Sequence, residues 1–281
     1  MKKVGVVGCG AMGGGIAQLC AQSGYQVVVS EINDDFLKKG LASIDKVLAR
    51  SVEKGKLAQA DKDATVGRIK GTTSTRDFAD CDLVIEAAIE NLELKKKIFA
   101  ELDGICPPHA ILATNTSCLS IIDMAMATKR PDKVLGLHFF NPAPVMKLLE
   151  MVKTIATSDE TVKLSQKFGE SLGKTTVIAQ DAPGFIVNRL WIPFLLHSIR
   201  LYEEGVASRE DIDNAIMLGL NYPMGPLTLS DMVGIDVVKF VSDALYEQLK
   251  DPRYVVPTLV DKMVAAGWLG RKTGKGFYDY K

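Results

Sequence analysis

The chain has 281 residues, 47% of them hydrophobic, enough to bury a sizeable core as one large domain or two ordinary ones. Its 34 basic and 34 acidic residues cancel, which removes the field that would favour nucleic acid or an anionic membrane and leaves small molecules or a second copy of the chain as the expected partners. The five cysteines (Cys9, Cys20, Cys81, Cys106, Cys118) are odd in number and form no C-x-x-C pair, against both a disulfide framework and a zinc site, so no metal and a cytoplasmic location are expected.

Lys2 and Lys3 precede an apolar stretch, as in a signal peptide, but Gly5, Gly8 and Gly10 interrupt it. The longest apolar run, residues 190–196, falls far short of the about 18 residues of a membrane span, and a soluble protein is expected.

Residues 4–7 form a short β-rich run leading into Gly8, Cys9, Gly10, Ala11, Met12 and Gly13, and then a helical pattern through Ile16, Leu19 and Cys20. A second strand, residues 26–30, ends just before Glu31, 18 positions beyond Gly13. Strand, G-x-G-x-x-G turn, helix, strand and acid in this order make up the dinucleotide-binding fingerprint; a lone glycine motif would equally suit an ordinary turn. Gly8 permits the tight turn, Gly10 leaves room for a pyrophosphate, Gly13 lets helix and strand approach, and the helix N-terminus offers free N–H groups. Glu31 is placed to accept hydrogen bonds from the adenosine ribose and would repel a 2′-phosphate, so NAD is expected rather than NADP.

Strand and helix patterns continue to alternate: a strand at 82–86, a helix at 92–102, and strands at 110–114 and 133–138. This predicts a doubly wound, Rossmann-like parallel sheet. Residues 34–69 interrupt it with a helical hairpin turning near residues 54–56. Near residue 180 the texture changes to helices punctuated by Pro223, Gly225, Pro226 and Gly234. A boundary at Asp181, with Pro183 in the first turn of a helix, divides the chain into an NAD-binding domain (1–182) and an all-α substrate-binding and dimerisation domain (183–281). Residues 190–196 (LWIPFLL) are apolar on all sides and require cover from their own domain or from a second subunit; a homodimer is the preferred reading and an internal helix the alternative.

The chemistry concentrates between His138 and Glu150. Eleven residues separate them, too few for a crossover helix, so the strand after the Asn141-Pro-Ala-Pro144 turn should run antiparallel and fold Glu150 back toward the imidazole. Glu150 stands in the apolar run LLEMV, where an unpaired carboxylate would cost several kcal/mol. Pairing with His138 would fix its tautomer and leave the other ring nitrogen free for a substrate proton; a solvent-facing glutamate and a histidine bonded to a backbone carbonyl fit the spacing equally well. Ser117 follows a strand at its carboxyl end, where open α/β sheets bind ligands, and also suits a helix cap. Asn188 is a poor helix former within an otherwise apolar helix start, where it either meets a ligand or bonds a nearby loop. Cys106-Pro-Pro-His109 reads as a turn and His197 as a core or interface histidine.

The segments "GVVGCGAMGGGIAQ", "EAAIENLELKKKIF", "ATNTSCLSI", "GLHFFNPAPVMKLLEMV", "DAPGFIVNRL" and "GWLGRKTGKGFYDY" resemble the 3-hydroxyacyl-CoA dehydrogenases, most closely the short bacterial 3-hydroxybutyryl-CoA dehydrogenases, over essentially the whole chain. The resemblance implies His138 as catalytic base, Glu150 as its orienting partner, and Ser117 and Asn188 as substrate contacts. It implies Glu90, Lys95, Asn115, Ser117, Asn141 and Lys272 at the cofactor, and interconversion of 3-hydroxybutyryl-CoA with acetoacetyl-CoA. A dehydrogenase of a non-CoA hydroxy acid and a non-catalytic NAD sensor are the competing readings. In the insert, Lys46, Arg50 and Lys54 line one helix face opposite Leu41, Ile44, Val47 and Leu48. A solvated basic face is the plainer account; the alternative has Arg50 and Lys54 bind the phosphates of coenzyme A.

Overall fold

Runs of β-branched and other apolar residues, separated by helix starts with defined caps, build the first part of the chain. The computed structural model describes residues 1–280 and divides into two units, Met1–Ala182 and Pro183–Lys281. In chain order the first unit contains β1 (Lys3–Val7), α1 (Ala11–Gln22), β2 (Gln26–Ser30), α2 (Asp34–Glu53), α3 (Gln59–Gly67), β3 (Ile69–Thr72), β4 (Leu83–Glu86), α4 (Leu92–Ile105), β5 (Ile111–Thr114), α5 (Ile121–Ala125), β6 (Val134–Phe139), β7 (Leu148–Lys153), α6 (Asp159–Ser171) and β8 (Thr175–Gln180).

The eight strands form one sheet in the order β3-β2-β1-β4-β5-β6-β7-β8. β1 to β6 pair in parallel, β7 is antiparallel to β6, and β8 is parallel to β7. Strand order reverses between β1 and β4, the switch point at whose carboxyl ends open α/β sheets bind ligands. The central strands β4, β5 and β6 are buried along their whole length, which is why they read as continuous apolar runs. The two edge strands, β3 and β8, were not legible in the sequence. Half-exposed edges carry little apolar pattern, as IKGT and TTVIAQ illustrate.

The insert is the helical hairpin α2–α3. Asn33 caps α2 by accepting a hydrogen bond from the Phe36 N–H, with Asp34 and Asp35 in the first turn, and Gly55 turns the chain at φ +66°. Leu37, Gly40, Ile44 and Leu48 are buried. Val47 departs from its expected place on the buried side: at the edge of this stripe it is 47% exposed. α2 packs tightly on the glycine turn, since a Cβ on Gly40 would lie 2.4 Å from both the carbonyl oxygen and Sγ of Cys9.

The second unit is helical, with α7 (Val187–Glu203), α8 (Arg209–Gly219), α9 (Pro226–Val233), α10 (Ile235–Leu249) and α11 (Thr258–Ala265). Pro183 does not occupy the first turn of a helix as expected. Gly184 (φ +77°) and Phe185 (φ 49°) take left-handed conformations, which delays the start of α7 to Val187. Ile192, Leu195 and Leu196 of α7 pack with Val238, Val241, Leu245 and Tyr254, whereas Leu190 and His197 are exposed on the single chain. The chain's last segment is tied down by buried Asp231, which accepts from the N–H groups of Phe277 and Tyr278 and from the Tyr280 hydroxyl. No helix among the described residues is long and apolar enough to cross a membrane.

The contact at Gly40 leaves no room for a methyl group. Gly40→Ala is expected to cost ~1–3 kcal/mol in urea unfolding, whereas Gly104→Ala, with open space at its Cβ in α4, is expected to be neutral or mildly stabilising. Equal stability of the two variants would contradict the tight packing of α2 on the glycine turn.

Candidate active site

The turn between β1 and α1 leaves the strand at Gly8, whose φ of +94° and close approach to the Ala87 carbonyl, 2.8 Å from a built Cβ, exclude other residues. A Cβ on Gly13 would lie 2.0 Å from the Gly8 carbonyl oxygen, so only glycine lets α1 sit this close to β1. Around Gly10, by contrast, nothing lies within 4 Å of a built Cβ. No side chain caps the N-terminus of α1, whose first N–H groups remain available to an anion. Glu31, at the end of β2, accepts from the Cys9 N–H through Oε1 at 2.7 Å and from the Ile32 N–H through Oε2 at 3.1 Å. Each carboxylate oxygen has a further lone pair for a ribose hydroxyl. Gly10, Ala11, Glu31 and Asn141 line one cleft of about 770 Å³, together with Phe36 and Lys39 of α2. A tight glycine turn, open space at Gly10, uncapped N–H groups and an acid at the end of β2 together fit a dinucleotide.

Near the carboxyl end of β6 and the amino end of β7, His138 and Glu150 are register partners across the antiparallel pair. Glu150 is 0% and His138 4% exposed, and His138 Nδ1 lies 2.7 Å from Glu150 Oε2. A carboxylate only accepts, so Nδ1 carries the proton and Nε2 becomes the acceptor. Ser117 Oγ lies 3.1 Å from Nε2 and donates to it. The Phe140 ring packs against the imidazole with centroids 4.6 Å apart. Ser117 does not cap the following helix: α5 begins at Ile121, and its first N–H groups donate to the carboxylate of Asp181.

Glu90 accepts from the Ser117 N–H at 2.9 Å and from the Thr116 hydroxyl. Lys95 is buried, its ammonium 2.6 Å from Glu86 Oε1 and 3.6 Å from Glu90 Oε2. Asn115 accepts from the Phe139 N–H at 2.9 Å and so ties β5 to the strand carrying His138. Ser117, His138, Glu150, Glu90, Lys95 and Asn115 thus gather at the carboxyl edge of the sheet. Sequence reading missed Glu86, which is fully buried at the end of β4 and accepts from Lys95, the Ala88 N–H and the Thr114 hydroxyl. A glutamate closing the apolar run LVIE is the same signal that LLEMV gave for Glu150.

Residues 3–182 match the NAD binding domain of 3-hydroxyacyl-CoA dehydrogenase, and residues 184–280 match the C-terminal domain of 3-hydroxyacyl-CoA dehydrogenase. The chain belongs to the 3-hydroxyacyl-CoA dehydrogenase family. A probable 3-hydroxybutyryl-CoA dehydrogenase of Deinococcus radiodurans is 47% identical over 99% of this chain and 100% of its own length. The 3-hydroxybutyryl-CoA dehydrogenase of Mycobacterium tuberculosis is 45% identical over 100% of this chain and 99% of its own. The crystal structure of (S)-3-hydroxybutyryl-CoA dehydrogenase PaaH1 from Ralstonia eutropha matches with a TM-score of 0.93 at 45% identity, covering 100% of this chain and 99% of that one.

As a member of the 3-hydroxyacyl-CoA dehydrogenase family the protein is an oxidoreductase with NAD as its cofactor, and its first unit is the NAD-binding domain. The remaining expected site residues lie elsewhere in the chain. Asn188 is in α7, where Oδ1 accepts from Trp191 Nε1 at 2.7 Å, and the Lys272 ammonium pairs with the Asp236 carboxylate, both contacts within the second unit. Lys46 and Arg50 are exposed on α2, and Lys54, expected on the same helix face, is instead its exposed C-cap residue; none of the three lines the cleft, whose cation is Lys39. Cys9 and Cys118 lie beside the site, but burial, reinforced by Glu31, pushes the Cys9 thiol up to about 11, and burial with Glu90 pushes Cys118 to about 12. Both are neutral at physiological pH and unsuited to act as nucleophiles.

The space at Gly10 separates ligand room from folding. Gly10→Ala is expected to leave the urea midpoint close to wild type and to raise the Kd for NADH by at least about tenfold, because the methyl group projects where the pyrophosphate would approach. Unchanged NADH affinity by fluorescence titration would place the pyrophosphate elsewhere.

Proposed function

We propose that the protein interconverts (S)-3-hydroxybutyryl-CoA and acetoacetyl-CoA, with related short-chain 3-hydroxyacyl-CoA thioesters as further substrates. The observation that carries this reading is the hydrogen-bonded series from half-buried Ser117 to buried His138 and Glu150 at the end of the sheet, in a chain that belongs to the 3-hydroxyacyl-CoA dehydrogenase family.

In this reading His138 Nε2 is the general base. It takes the proton of the 3-hydroxyl group as the substrate is oxidised, and returns it to the ketone oxygen in the reverse direction. When bound, the cofactor would supply the redox chemistry, with NAD as hydride acceptor for the oxidation and NADH as hydride donor for the reduction. Glu150 holds the imidazole in the tautomer that makes Nε2 a hydrogen-bond acceptor and stabilises the imidazolium formed on proton transfer. Ser117 binds the substrate oxygen beside Nε2, so that the proton moves along one geometry. Glu31, Gly8, Gly10, Ala11, Met12 and Gly13 hold the adenosine and pyrophosphate, with Glu90, Lys95, Asn115 and Asn141 placed toward the rest of the cofactor. For the second unit we adopt the roles implied by the family motifs, Asn188 for substrate and Lys272 for cofactor.

We also propose that the protein acts as a cytoplasmic homodimer. Five buried free thiols accord with a reducing compartment, and exposed Leu190, Leu218 and Leu220 supply apolar surface in the second unit for a second copy.

Oxidation of NADH by acetoacetyl-CoA, followed by absorbance, tests the reading. Wild type is expected to show a higher kcat/KM with NADH than with NADPH, and His138→Gln to lose about 10²- to 10⁴-fold in kcat with NADH binding retained. A His138→Gln variant keeping more than about a tenth of wild-type kcat would sink the base assignment.

The exposed cations Arg50 of α2 and Lys54 at its C-cap carry the coenzyme A part of the proposal. Arg50→Ala with Lys54→Ala is expected to raise KM for acetoacetyl-CoA severalfold, leaving KM for NADH and turnover of the acetoacetyl-pantetheine thioester nearly unchanged. Equal loss on both thioesters would assign the two residues to the fold or reaction centre, and no loss on either would make them a solvated face.

A further inference from the structure

Glu86 is the most buried charged group in the first unit that the mechanism leaves unused. Its carboxylate is fully enclosed at the carboxyl end of β4 and accepts from the Lys95 ammonium at 2.6 Å, the Ala88 N–H at 2.7 Å and the Thr114 hydroxyl at 2.7 Å. Lys95 is itself only 1% exposed; its ammonium also donates to the Ala88 carbonyl at 3.2 Å and stands 3.6 Å from Glu90. Glu90 in turn receives the Ser117 N–H at 2.9 Å, and the Ser117 hydroxyl bonds His138 Nε2 at 3.1 Å.

These contacts form one connected series, from Glu86 through Lys95, Glu90 and Ser117 to His138 and Glu150. Two carboxylates share the single cation of Lys95, and the shorter, fully buried contact belongs to Glu86. Removing the charge of Glu86 would leave a buried ammonium with one counter-charge. The Lys95 side chain would then close on Glu90, pulling that carboxylate from the Ser117 N–H.

We propose that Glu86 is a positioning residue for the reaction: by anchoring Lys95 it holds Glu90 on the Ser117 N–H and thereby fixes the hydrogen bond between Ser117 and His138. The proposal takes its kinetic meaning from the dehydrogenase reading above, whereas the geometric claim stands apart from it.

The test is a double-mutant cycle of Glu86→Gln with Ser117→Ala, read with acetoacetyl-CoA and NADH. Glu86→Gln alone is expected to lower kcat about 10- to 100-fold, the usual effect of misplacing a reacting group by about an ångström. In the Ser117→Ala background the same substitution is expected to cost no more than about twofold, because the bond it acts through is already gone. Additive losses, as a general weakening of the fold would give, overturn the proposal. A rise in KM for NADH at unchanged kcat also overturns it, since Glu86 would then act on the cofactor through Lys95.

A second measurement is independent of activity. Of the three histidines, His138 is assigned by its loss in His138→Gln. In ¹⁵N histidine spectra its Nε2 resonance is expected to move in Glu86→Gln in the same direction as in Ser117→Ala. A resonance unmoved by Glu86→Gln overturns the proposal even if the protein proves inactive on acetoacetyl-CoA. Should Glu86→Gln fail to fold, Glu86→Asp, which keeps the charge but shortens the reach to Lys95, enters the same cycle and spectra with the same expected signs.

Discussion

A carboxylate with no access to water must find a partner that compensates its lost hydration, and at Glu150 that demand organises the far end of the sheet. β7 turns back antiparallel on β6 and brings Glu150 opposite His138, in a register that a slip of β7 by one residue would destroy by sending Glu150 to the face opposite His138. The hydrogen bond at 2.7 Å orients the ring and leaves Nε2 toward Ser117. Everything else at this edge is arranged around that ring: Asn115 ties β5 to the N–H of Phe139, and Glu90 grips the backbone of Ser117.

The other half of the architecture depends on close approach of backbones rather than on charge. Gly13 allows α1 onto the turn after β1, and Gly40 allows the inserted helix α2 onto the same turn at Cys9. The cleft lined by Gly10, Glu31 and Asn141 is therefore walled on one side by the insert. The insert is thus continuous with the nucleotide-binding apparatus, held by buried Leu37, Ile44 and Leu48 as well as by the close contact at Gly40.

The two buried carboxylates answer one physical demand in different ways. Glu150 is compensated by an imidazole, whereas Glu86 is compensated by an ammonium, a backbone N–H and a hydroxyl.

Much of this was legible in the sequence because the decisive signals are local. The glycine spacing, the acid at the end of β2, the apolar central strands, the histidine closing one apolar run and the glutamate inside the next each follow from the period of one element or the cost of burying one group. Eleven residues between His138 and Glu150 dictated an antiparallel return, and the family motifs pointed to the 3-hydroxyacyl-CoA dehydrogenases. Tertiary structure alone decided what depends on partners distant in the chain. The edge strands β3 and β8 exist because a neighbouring strand offers hydrogen bonds, not because their side chains are apolar. The late start of α7 follows from two left-handed residues, and the exposure of Val47 from its place at the rim of a buried stripe. Lys95, written in the sequence as one of three consecutive lysines, became the buried cation because only its side chain reaches Glu86 and Glu90, a choice made by the packing of α4 against the end of β4 and invisible to composition or period.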